Sequence, residues 1–155
     1  MSAPRTLALG AISGLRAASG PAFVGRAASR GDMDLGDTPL AFLGSPLLSK
    51  ALTIAQLGEI VGDKLPATPS RTALPPLFGR AASGGLVGAA AFISDGRSAT
   101  TGAALGSFAA VVAAFAGEKL RAIVGRKIGL PDAVVAVAED AVVFLLGSRA
   151  SKNVR

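Results

Sequence analysis

The stretch Ser98-Ala-Thr-Thr-Gly-Ala-Ala-Leu-Gly-Ser-Phe-Ala-Ala-Val-Val-Ala-Ala-Phe-Ala-Gly117 decides the fold. It holds no charged residue, and about twenty such residues cross a hydrocarbon core. Within it Gly102, Gly106, Ala110 and Ala114 recur every four residues. That spacing lines one helical face with small side chains, which in lipid lets two backbones approach closely. Gly84 and Gly88 form a second such pair. The ladder predicts close helix packing inside the monomer, with a homo-oligomer seam as the alternative.

Outward from this stretch, further apolar segments follow the same logic. Ala73 to Ser94 carries Arg80 near its start, and Leu130 to Ser148 carries acids inside it. Leu40 to Gly62 is interrupted by Lys50 and Glu59, and Thr6 to Gly25 by Arg16 and Pro21. The segments predict an all-α, polytopic transmembrane bundle of four to five spans in one domain, residues 1–155, with the first helix broken near Pro21. Turn-rich links separate them: Gly31 to Pro39, Pro66 to Thr72, and Gly129-Leu-Pro131.

Composition supports a membrane class and removes several chemistries. Only 17% of the 155 residues are charged, mean hydropathy is +0.53, and 20 residues are Gly. Soluble domains carry about 25% charged residues. With no Cys or His, there is no thiolate nucleophile, disulfide, imidazole base or common metal ligand. No nucleophile stands beside a base, and no glycine loop is built to cradle phosphate. The expectation is therefore a non-enzyme without cofactor or metal. A carboxylate-only metal site at Glu59 and Asp63 would have two ligands, too few to argue from.

The net charge is +6 and the pI about 10.8. The cations lie mostly between apolar segments and have no aromatic interleaving. They predict loops against anionic lipid rather than a nucleic-acid partner. Lys119, Arg121, Arg126 and Lys127 are the clearest group, marking the end of the fourth span; Glu118 precedes them. With five spans, the positive-inside rule puts them in the cytoplasm with Lys64 and Arg71. The C-terminal cations Arg149, Lys152 and Arg155 then fall outside and oppose that orientation.

Polar groups inside apolar segments are the candidate functional residues. Ser49, Thr53, Gln56, Glu59 and Asp63 share one helical face, opposite Leu48, Leu52, Ala55, Leu57 and Val61. Such a stripe faces the bundle interior or a polar path. Glu139 and Asp140 lie midway along their span. A carboxylate at that depth is either paired or protonated. Arg16 lies midway along its own segment, with Thr6, Ser13 and Gly20 on its face, so a pair with Glu139 or Asp140 is expected. These groups could serve an ion route or simply hold the bundle together.

A faint repeat runs through the chain. Gly25-Arg-Ala-Ala-Ser29 recurs as Gly79-Arg-Ala-Ala-Ser83, Leu43-Gly-Ser45 as Leu105-Gly-Ser107, and Gly58-Glu59 as Gly117-Glu118. The order is kept while the spacings differ. Transporters are often built from repeats, and an Ala/Gly-rich chain also repeats short words by chance.

Several motifs resemble the bacterial membrane family catalogued as domain of unknown function 4126. They are Ser13-Gly-Leu-Arg16 with Pro21, Thr38-Pro-Leu-Ala-Phe-Leu-Gly-Ser-Pro46 and Gly58-Glu-Ile-Val-Gly-Asp-Lys-Leu-Pro66. Thr68-Pro-Ser-Arg-Thr72 and Gly129-Leu-Pro-Asp132 with Glu139-Asp140 continue the pattern. The resemblance covers most of the chain. It implies an integral protein of the bacterial inner membrane and supplies no reaction, ligand or catalytic residue. The expected function is a small transporter or channel-like protein for a small solute or ion, with proton coupling as one form. The alternative is a non-catalytic membrane protein that packs with lipid or partner proteins.

Overall fold

The computed structural model describes residues 2–62, 70, 72–129 and 132–151. Among them are six α-helices and no strand: α1 Ser2–Leu15, α2 Ser19–Ser29, α3 Pro46–Gly62, α4 Leu74–Ser94, α5 Ala99–Ile128 and α6 Asp132–Ala150. A 3-10 turn, Ala41–Gly44, precedes α3.

Local chemistry sets the helix ends. Pro46 opens α3, and Pro75 and Pro76 lie in the first turn of α4, where a missing N–H costs little. The Ser98 side chain caps α5 by accepting from the Thr101 amide at 3.5 Å. Gly129 ends α5 in the left-handed region at φ 67°, a conformation that glycine adopts without strain. The charges from Glu118 onward do not stop this helix. It runs past the expected end at Gly117 because none of Glu118, Lys119 or Arg121 breaks helical geometry.

Two helices, α4 and α5, are long and apolar enough to cross a membrane. The expected four to five spans include segments that fail on length or charge. At about 1.5 Å per residue, α1 and α2 reach about 21 and 16 Å, short of a core about 30 Å thick. α3 starts at Pro46 rather than Leu40, which leaves 17 residues. α6 holds Asp132, Glu139, Asp140 and Arg149 within 19 residues.

α4 and α5 run antiparallel with their backbones in contact. A Cβ on Gly84 would lie 2.5 Å from the Gly106 carbonyl oxygen, and Gly88 meets Gly102 in the same way. α1 lies against both, with Gly10 on Gly106 and Gly14 on Ala110. The ladder of small residues is thus used inside the chain. Ser107 adds a hydrogen bond across the pair, donating to the Ala81 carbonyl at 2.9 Å.

The N-terminal segment turns back on itself. Gly20 stands against Ser13, so closely that a Cβ on Gly20 would collide with the Ser13 hydroxyl. Seven residues along one straight helix would be about 10 Å apart. Both free ends of the segment also lie beside the C-terminal end of α6. Arg5 donates from Nε to the Ala150 carbonyl at 2.8 Å, and Arg30 shares a pocket with Ser148 and Ser151. The tip of this hairpin lies beside Asp140, midway along α6. Thr6 to Gly25 is therefore folded into a helical hairpin rather than one continuous helix. Its break falls at residues 16–18, not near Pro21. Pro21 sits in the first turn of α2, a position that tolerates proline.

Many large apolar side chains point outward. Leu47, Leu74 and Phe78 are more than three-quarters exposed, and Ile54, Val61, Phe108 and Leu145 are all above 60%. The interior combines an apolar cluster that includes Leu9, Ile12, Phe23 and Leu43 with small residues and with Arg16, Gln56, Thr6, Ser13 and Ser19, these five polar residues being essentially inaccessible. On α3, Leu48 and Leu52 pack against the core cluster. They belong to the inner side rather than to the outer face, which Leu47, Ile54, Leu57 and Val61 form.

Candidate functional site

The hairpin tip is built from backbone groups that helix geometry leaves over. The Arg16 amide completes α1 by donating to the Ile12 carbonyl at 2.8 Å, and the Ser19 amide starts the return by donating to Arg16 at 3.0 Å. The amides of Ala17 and Ala18 between them turn to α3. They donate to Oε1 and Oε2 of Glu59, each at 2.7 Å. Glu59 thus caps the start of α2 from another helix, placing a carboxylate at the positive end of the helix dipole. The Ala17 carbonyl receives the Ser83 hydroxyl of α4 at 2.6 Å.

Two arginines surround this tip. Arg16 is fully buried, and its Nε and Nη2 lie 2.9 and 2.8 Å from Oδ1 of Asp140. Arg80 of α4 is 6% exposed, with Nη2 3.7 Å from Glu59 Oε1 and Nη1 donating to the Pro76 carbonyl at 3.5 Å. Gln56, one turn before Glu59, donates to the Ser19 hydroxyl and accepts from Arg26, both at 3.2 Å. The result is an interior network with guanidinium groups from the hairpin tip, α2 and α4 and carboxylates from α3 and α6.

The structure divides the sequence candidates. Arg16, Gln56, Glu59 and Asp140 meet at the hairpin tip. Glu139 lies in the wall of a groove of about 310 Å³ between α5 and α6, with Leu15, Arg121, Val124, Val135 and Val142. The groove brings a carboxylate and a guanidinium into otherwise apolar surroundings just beyond the tip. Lys119, Arg126 and Lys127 are exposed on the last turns of α5, where cations complement the helix C-terminus. Glu118 does more than end a helix: it accepts from the Ser70 and Thr72 hydroxyls at 2.8 Å each. Asp63, Lys64 and Arg71 lie outside the described residues.

Sequence reasoning missed Arg80, Ser83, Arg26 and Ser19 as members of the site. The repeated word Gly-Arg-Ala-Ala-Ser held three of them: Arg26 in its first copy, Arg80 and Ser83 in its second. The Gly-Glu word has matching geometry too. Glu59 accepts two donors from the segment before α2, and Glu118 accepts two from the segment before α4.

No curated protein and no solved structure matches the chain. The family model described as domain of unknown function 4126 matches residues 5–152, and the chain belongs to that family.

Proposed function

We propose that the chain is an integral membrane protein that moves a small solute or ion, coupled to protons, past the tip of its re-entrant hairpin. In this proposal α4 and α5 cross together with the shorter α3 and the more charged α6, and α1 with α2 enters and leaves from one side. The outward-facing apolar side chains and inward-facing polar ones support lipid as the surrounding solvent.

One observation carries the transport reading: the non-helical backbone at residues 16–18 lies at the level of Asp140, held by Glu59 and Ser83. Backbone of this kind at membrane depth is tolerated only where protein buries it or where it lines a path. Transporters use such helix breaks as ion and substrate sites. The α5–α6 groove, with Glu139 in its wall, approaches the tip beside Leu15. A carboxylate in an otherwise apolar wall is a polar group that an ion or small solute passing the tip would meet. The repeat, now matched in geometry at Glu59 and Glu118, adds support.

Proteoliposomes with an enclosed pH-sensitive dye test the proposal. Wild type should dissipate an imposed proton gradient faster than empty vesicles, and Glu139→Gln should lose that excess while still folding. If wild type moves neither protons nor Na⁺, K⁺ or Cl⁻ under a gradient, transport is abandoned. The charged tip then serves to hold the bundle together. Recovery of the chain in an alkaline carbonate wash would remove the membrane reading altogether.

A further inference from the structure

Away from the hairpin tip, a second polar recess lies where the C-terminal ends of α2 and α6 meet. It has a volume of about 280 Å³ and is lined by Arg26, Arg30, Phe23, Phe144, Ser148 and Ser151, with Asp32 also in its wall. That volume is near the lower edge of small-molecule sites. Arg26, in the last turn of α2, and Arg30, its C-cap, stand four residues apart, a spacing at which like charges repel. Among the described residues neither forms an ion pair.

Arg26 is held in place by neutral contacts. The Arg26 guanidinium lies 4.7 Å from the centre of the Phe23 ring and donates from Nη2 to Gln56 at 3.2 Å. Phe23 is fixed in turn by an edge-to-face contact with Phe144, ring centres 5.9 Å apart. One Arg26 donor is therefore used by Gln56, and the rest of its fork remains for another acceptor. Cations near a helix C-terminus complement its dipole. That accounts for having basic residues here, but not for putting two on one recess wall with two hydroxyls beside them.

We propose that this recess binds a phosphate-type oxyanion, with Arg26 and Arg30 as the charged donors and the Ser148 and Ser151 hydroxyls as further partners. Paired guanidinium forks suit such a group because its several oxygens accept from both at once. The Ser148 hydroxyl now donates to the Leu145 carbonyl at 3.1 Å and would rotate to reach a ligand. The same chemistry is offered by a free phosphate and by the headgroup of an anionic phospholipid. The proposal does not depend on transport.

The test uses the full chain, delipidated in detergent. Inorganic phosphate is titrated calorimetrically, and phosphatidylglycerol and phosphatidylcholine of matched chains are compared by native mass spectrometry. Arg30→Gln removes an exposed charge that bonds nothing through its side chain, so the variant should fold. It should weaken binding about tenfold, the scale of one hydrogen bond to a charged group. Arg97→Gln removes an equal charge outside the recess and should change nothing. Phosphate binding lost in Arg30→Gln identifies a free-anion site. Phosphatidylglycerol retention lost in that variant, without phosphate binding to wild type, identifies a headgroup site. If wild type binds neither, or if Arg30→Gln and Arg97→Gln behave alike, the proposal is overturned.

Discussion

Arg16 and Asp140 meet at 2.8 Å, one from the tip of the N-terminal helical hairpin and the other from the middle of α6. Arg16 is fully buried, while the Asp140 side chain is 13% exposed. Arg16 Nε and Nη2 both approach one carboxylate oxygen, Oδ1. The hairpin is thus fastened at its tip by a charge pair, between helices far apart in the chain.

Removing one partner strands the other charge in the interior, which costs more than the pair itself contributes. Arg16→Met and Asp140→Met should each lower stability by about 3–5 kcal/mol. The double variant should recover part of that loss, because two apolar side chains then face each other. Chemical unfolding in detergent measures all four corners of the cycle. Losses that simply add would mean that the two residues do not stabilise each other.

Glu59 makes a more local prediction. In Glu59→Gln one carboxylate oxygen becomes an NH₂ donor, so either Ala17 or Ala18 faces the wrong group. The expected cost is about 1–3 kcal/mol, as for an unsatisfied buried amide. Amide exchange at residues 17 and 18 should speed up before that of α4. Unchanged protection at both amides would show that Glu59 does not hold the tip.

The glycines separate sharply by position. Gly106→Ala puts a methyl group into the Gly84 carbonyl, with the Gly88 Cα 3.0 Å away, so the α4–α5 pair must move apart. Gly125 has nothing within 4 Å of an added Cβ. Gly125→Ala should therefore be neutral or stabilise α5 by up to about 1 kcal/mol, the helix propensity difference. Thermal unfolding in detergent ranks the two. Equal tolerance at both positions would argue that the ladder is not a contact.

How much of this was legible in the sequence follows from what each signal encodes. The charge-free run after Ser98 and the small-residue ladder specify α5 and its packing, because both depend on spacing along one helix. Ser49 and Gln56 are buried as their shared face predicts. The turn at residues 16–18 was hidden, since Arg16, Ala17 and Ala18 are all compatible with helix and Pro21 drew attention to itself. What bends the chain there is supplied from elsewhere, by Glu59, Ser83 and Asp140, and no local pattern announces a tertiary cap. Arg80 was visible only as an interruption of an apolar run. The expectation of one arginine with one acid therefore missed the second arginine at the tip.

The hairpin itself gives the most decisive prediction. If α1 and α2 enter and leave from one side, Pro4 and the loop residue Asp34 lie on the same face of the membrane as Arg97, between α4 and α5. Lys127, at the far end of α5, lies on the other. A full crossing by Thr6 to Gly25 would instead place Pro4 opposite Asp34. The chain has no cysteine, so Pro4→Cys, Asp34→Cys, Arg97→Cys and Lys127→Cys can each be made as the sole thiol. All four positions are exposed. In sealed vesicles an impermeant maleimide should label positions 4, 34 and 97 together and spare 127, or the reverse in inverted vesicles. Proline is tolerated in the first turn of a helix but not required there, so Pro4→Cys should leave α1 intact. Joint labelling of positions 4 and 127 from one side would mean that the N-terminal segment crosses. The backbone turn at Arg16 would then lie in a spanning helix, and a path entering beside a re-entrant tip would have to be given up.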